Sequence, residues 1–113
     1  MDILKATIEH LDASLECRVA SERPANPPSE MVTVVRMGGG GSRFIDRPRI
    51  LVHAWGTSET SAYGLAREAE AAMFTLPAYE PNVAEVSQDS LYSNIYMDGT
   101  RRWTAAYVIV TNR

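Results

Sequence analysis

The chain has 113 residues, 45% of them hydrophobic, which suffices for one buried core and not for two, so residues 1–113 read as a single domain. Its formal net charge of -3 argues against general affinity for nucleic acid, which rests on many Lys and Arg side chains neutralising phosphates. One cysteine excludes an internal disulfide and no apolar run is long enough to span a membrane, so packing and hydrogen bonds are expected to hold a soluble fold with no membrane partner.

Residues 2–14 predict a helix: Leu4, Ile8, Leu11 and Leu15 recur at three- and four-residue spacing along one face, and Lys5, Glu9 and Asp12 occupy the other. Asp2 suits the positive end of that helix. This acidic, amphipathic start lacks the basic flank and apolar run of a secretory leader. Residues 17–20 predict a short strand, the three prolines between Arg23 and Pro28 make the next stretch a loop, and the β-branched run at 31–36 predicts a second strand. The consecutive glycines Gly38, Gly39, Gly40 and Gly41 predict a flexible loop between two antiparallel strands, since glycine adds backbone entropy and offers the packing nothing. Deleting them is expected to leave the fold intact.

The strand at 49–55 has apolar groups on both faces, Ile50, Val52 and Ala54 against Leu51, His53 and Trp55, and belongs in the centre of the sheet. Thr57 or Ser58 caps a helix whose stripe of Ala62, Leu65, Ala66, Ala69, Met73 and Leu76 ends at Pro77. Residues 83–87 and 91–97 form one long strand, or two bent at Asp89-Ser90. Asp98-Gly99 then favours a tight primed turn into a last strand at 101–111, again apolar on both sides. Tyr92, Tyr96, Trp103 and Tyr107 are expected to pack across that hairpin. The whole is an α+β domain of order α-β-β-β-α-β-β, with a mostly antiparallel sheet of about four to five strands and two helices on one face. The two-faced strands leave the other face to be covered by another subunit.

The residue pattern offers little chemistry. A phosphate loop needs Gly-Lys-Ser/Thr entering a helix, whereas Ser42-Arg43-Phe44 leads into a strand. His10, His53 and Cys17 lack metal-ligand spacing, and Ser42, Ser58 and Ser61 read as cap and loop residues, so no catalytic residue, metal or other cofactor is expected. What stands out is basic. Arg36, Arg43, Arg47 and Arg49 flank the glycine run, and Arg101 and Arg102 flank the turn at Asp98. Such arginines suit forked contacts with acidic groups on a partner, and protection of sheet edges explains them equally well.

The loop Arg36-Met-Gly-Gly-Gly-Gly-Ser-Arg43, the strand Asp46-Arg-Pro-Arg-Ile-Leu-Val, the transition Trp55-Gly-Thr-Ser and the alanine-rich Ala62-x-x-Leu65-Ala66 helix follow one another in an order that resembles the tail terminator, or tail completion, proteins of long-tailed bacteriophages, particularly those infecting actinobacteria. The resemblance spans most of the chain. It implies a non-enzymatic virion protein of the tail and neck, made in the host cytoplasm, that forms a homo-oligomeric ring, usually a hexamer. Such a ring caps the head-proximal end of the tube built by the major tail tube protein, ends its polymerisation and meets the head-tail connector protein, while DNA passes through without sequence-specific binding. The residues implied as assembly contacts are Arg36, Gly38, Gly39, Gly40, Gly41 and Arg43 in one tip and Asp98, Arg101 and Arg102 in the other. The alternatives are a head-tail connector or adaptor of the same phage neck, a small nucleic-acid-binding module using the arginine tips and aromatic hairpin, and a small enzyme built on His53 and nearby carboxylates.

Overall fold

The computed structural model describes residues 2–112. The elements are α1 (Ile3–Ser14), β1 (Arg18–Ala20), β2 (Met31–Gly41), β3 (Ile45–Gly56), α2 (Glu59–Tyr79), β4 (Val83–Ile95) and β5 (Arg101–Asn112), in the α-β-β-β-α-β-β order that the sequence predicts. The strands make one sheet in the spatial order β1-β2-β3-β5-β4, parallel between β1 and β2 and antiparallel at every other pair. β3 is central, as its two apolar faces require.

Both helices begin on side-chain caps. The Asp2 carboxylate accepts the Lys5 backbone N–H at 3.1 Å, and the Ser58 hydroxyl accepts that of Ser61 at 3.1 Å. The helices then share one face of the sheet: Ile3 and Leu11 of α1, with Leu65, Ala69, Met73 and Leu76 of α2, close over Val34, Ile50, Val52, Ala105, Tyr107 and Ile109. Small side chains at 62, 66 and 69 let α2 lie close to the strands. His10 fastens α1 to α2, its Nε2 lying 2.9 Å from the Ala72 carbonyl; an acceptor there fixes the proton on that nitrogen. Pro77 does not end α2. Its fixed φ is helical, so the helix runs on to Tyr79 and closes with Glu80 N–H donating to the Leu76 carbonyl at 2.9 Å.

The glycine run is strand, contrary to the loop its composition predicts. Gly39, Gly40 and Gly41 of β2 pair with Pro48, Arg47 and Asp46 of β3, and the register slips by one residue between Arg36 and Gly39. That bulge is why glycine is required: Gly38 and Gly39 have φ of +95° and +126°, and a Cβ on Gly39 would lie 2.2 Å from the Arg47 carbonyl oxygen. Opposite the bulge sits Pro48, fully buried, where the β3–β5 ladder also breaks because proline has no N–H to give. The true connection is Arg43-Phe44, closed by Ser42 N–H donating to Ile45 O at 2.7 Å.

The second hairpin also differs from expectation. β4 is one strand with irregularities at 83–85 and 88–90, the latter at the anticipated bend. Its turn is not a two-residue primed one, because Asp98 does not adopt positive φ. Gly99 alone does, at +87°, and Gly99 N–H donates to Tyr96 O at 2.9 Å while Tyr96 N–H donates to Thr100 O, giving a three-residue loop. Nor do the four aromatics stack across the hairpin. Strand alternation sends Trp103 and Tyr107 to the helices, where they meet Tyr63 and Phe74 edge-on, and sends Tyr96 to the opposite face against Trp55; Tyr92 stays exposed.

Candidate functional site

The two arginine-rich tips lie at opposite ends of the sheet. Ile45 pairs with Asn112 at one end of β3 and Gly56 with Arg101 at the other, so the 43-44 turn and the 97-99 loop are separated by the length of the strands in a molecule 43 Å along its longest axis. The implied contact residues therefore form two surfaces and not one.

At the first tip, Arg36 and Asp46 brace the arm across the strand pair at 3.5 Å. Arg43 and Arg47 are exposed and form no ion pair among the described residues; the Arg43 guanidinium lies 5.3 Å from the centre of the Phe44 ring. Phe44 is 71% exposed at the turn, and Met37, further down β2, is exposed as well. Large apolar groups in open water beside uncompensated cations are what a contact surface needs.

At the second tip the roles divide. Arg101 is exposed, as are Ile95 and Met97. Asp98 and Arg102 are committed to the fold. Hydrogen bonds from Thr100, then Arg23, hold the Asp98 carboxyl far below the usual carboxylate range, and the Arg23–Asp98 pair measures 2.7 Å. Arg102 donates through Nε to Asn94 Oδ1 at 3.2 Å and lies 5.0 Å from the centre of the Trp55 ring. Arg23, on the other side of this cluster, lies 4.3 Å from the same ring. It comes from the proline loop, and the sequence gives no sign that this arginine holds anything. The loop has a structural cause: parallel neighbours β1 and β2 need a crossover connection, and within it Arg23 lies over Trp55 on the face opposite the helices while Glu30 accepts from Ser61 of α2. Met31, Thr33 and Trp55 on that face are buried within the chain itself. Another subunit is therefore not needed at this end of the sheet; the half-buried Val35, Leu51, Val108 and Val110 continue the row beyond it.

His53 lies on the same face. Its Nδ1 is 2.8 Å from Thr104 Oγ1, whose hydroxyl donates to Asn94 Oδ1 at 3.3 Å, so His53 carries its proton on Nδ1 and donates to the threonine. No carboxylate hydrogen-bonds it among the described residues. Burial, and then the Arg102 charge, lower its pKa from 6.5 to about 4. A folded-state pKa below the unfolded one means full stabilisation above pH 6.5, lost as pH falls towards 4. With the ring partly open to solvent, the loss is about 1–2 kcal/mol. Urea midpoints measured from pH 7 to 4 should fall accordingly, and His53→Gln should flatten that part of the profile; the Asp98 contribution is lost only at lower pH.

A third feature was not legible in the sequence. The end of α1, the segment just after it and α2 line an open groove of about 560 Å³, with Leu15 and Ala72 less exposed and Glu16 and Glu68 exposed at its margin. Nearby Cys17 has its thiol pushed up from the ordinary value by burial, with Glu30, Glu68 and Asp12 acting in the same direction. The groove is thus electronegative. Among the described residues no group of three or more His, Cys, Asp or Glu is placed to hold a metal ion, and no helix is long and apolar enough to cross a membrane.

Compared with protein-family models and with curated proteins, the chain matches no family model and no curated sequence.

Proposed function

We propose that this chain is a structural subunit of a ring at the head-proximal end of a phage tail tube, a tail terminator that stops tube growth and joins the tail to the head connector. Sequence resemblance motivates the reading. The observation that carries it is the pair of basic tips at opposite ends of the sheet in a molecule 43 Å long, each with exposed apolar side chains on its strands or turn: Met37 and Phe44 on one hairpin, Ile95 and Met97 on the other. A part with exposed contact surfaces at both ends suits assembly with other proteins, sister copies among them, better than a catalyst with one cleft. On this reading Arg43, Arg47 and Arg101 make contacts between proteins, and DNA crosses the ring without being read.

The test is electron microscopy of particles produced without this chain. Tubes of uncontrolled length, detached from heads, are the expected result, with restoration by the wild-type chain supplied in trans. Tubes of normal length that fail to join heads indicate a connector instead. Normal, joined particles overturn the proposal.

A further inference from the structure

Charge is distributed unevenly between the layers. Residues 2–16 and 59–80, which contain both helices, carry eight acidic and two basic side chains, a net charge of -6, and the rest of the chain carries +3. An exposed basic feature is the β2–β3 tip, where Arg43 and Arg47 have no acidic partner among the described residues and lie to either side of the exposed Phe44 in sequence. The matching acidic feature is the α1–α2 groove, with Leu15 and Ala72 inside and Glu16 and Glu68 at its margin; neither glutamate forms an ion pair among the described residues. One is an apolar plug rimmed by cations. The other is an open socket of mixed lining, Leu15 and Ala72 beside the hydroxyls of Ser14 and Thr75, rimmed by anions and with volume to spare for a phenyl ring.

We propose that the β2–β3 tip of one copy docks in the α1–α2 groove of the next, with Phe44 on Leu15 and Ala72 and with Arg43 and Arg47 against Glu68 and Glu16. This rests on the ring reading above and names the contact that builds the ring. Each copy owns one plug and one socket on different parts of its surface, so the contact is heterologous and propagates round a ring, where a twofold contact would stop at a dimer. The plug is also paired backbone up to its turn. Strand pairing continues past the bulge to Gly41 and Asp46, so docking has only the short turn left to order and loses little entropy.

Two charge-reversed variants test it. R43E/R47E makes plug and socket both acidic, and E16R/E68R makes both basic, so each alone should be monomeric by light scattering under conditions where wild type is oligomeric. Mixed in equal amounts they should assemble, because each plug then meets an opposite socket. Oligomers that survive in both variants, or a mixture that stays monomeric, overturn the contact. A wild type monomeric up to millimolar concentration overturns it as well, and the micrographs of particles decide the ring reading separately. Phe44→Ser, at an exposed position, should weaken assembly at least tenfold without lowering the melting temperature; unchanged assembly overturns the contact even where a charge variant fails to fold.

Discussion

Gly39→Ala is expected to destabilise the domain by roughly 3 kcal/mol or more, far beyond the usual effect of a change at an exposed position. Two terms add. An alanine at φ +126° is strained by about 1–3 kcal/mol, and its Cβ meets backbone on three sides, the Arg47 carbonyl oxygen at 2.2 Å, Pro48 Cα at 2.7 Å and Arg49 N at 2.9 Å. None of these atoms is the far end of a flexible side chain, so β2 and β3 must separate at the point where Pro48 has already removed a ladder hydrogen bond. Its neighbours supply the controls. Gly38→Ala has open space but φ of +95°, so it should lose about 1–2 kcal/mol; Gly40→Ala has open space and no positive φ, so it should fall within about 0.5 kcal/mol of wild type. Urea unfolding of the three variants gives the order directly. Equal, small losses at all three would mean that the run is the flexible loop its composition predicts.

That contrast shows where the sequence stops being readable. The helices, the central strand and the order of elements follow from local periodicity and caps: the alanine stripe of α2 and the alternation of β5 survive in the structure, and the α1 stripe does in part, with Leu11 buried and Leu4, Ile8 and Leu15 half-buried beside the unpredicted Ile3 and Thr7. The glycine run misleads because a bulge is a property of two strands at once. Nothing within residues 38–41 announces that Pro48, nine residues beyond Gly39, will sit opposite. The hairpin at Asp98 misleads for a related reason: Asp98 is claimed by Arg23, 75 residues away in sequence, and does not take the positive φ that a type I′ turn requires of it. Of the candidate contacts, Arg43 and Arg101 are exposed as their tip positions suggest. Arg102 and Asp98 are drawn into the fold by partners that only the pairing of β3, β4 and β5 brings near. The acidic groove needs both helices in register, so neither helix alone reveals it.

The second large effect is expected at Trp55, where Trp55→Ala should cost about 3–5 kcal/mol, a fall of roughly 15 °C in melting temperature for a chain of this size. Trp55 is 4% exposed although it lies on the face away from the helices, and what buries it is the chain itself. Its Nε1–H donates to Thr33 Oγ1 at 3.0 Å, Tyr96 meets it edge-on at 4.9 Å, and the guanidiniums of Arg23 and Arg102 lie over its ring. Arg23 Nε is buried with no hydrogen-bond partner among the described residues. The indole face is therefore the compensation for that desolvated group, an attraction worth about 1–2 kcal/mol when water is excluded. A cycle of Trp55→Ala, Arg23→Ala and the double variant should show coupling of that size; additivity within about 0.5 kcal/mol would deny the two groups any direct interaction. The clamp also has a mechanical consequence. Arg23 ties the crossover at 21–30 to Asp98 and Thr100 in the β4–β5 loop, so Trp55→Ala should release both together. Under native conditions, a protease cutting after glutamate should then cleave at Glu22 and Glu30 faster in this variant than in a core variant of equal stability such as Met73→Ala. Equal rates would mean that the crossover is fastened elsewhere, and that the second tip does not depend on Trp55 for its shape.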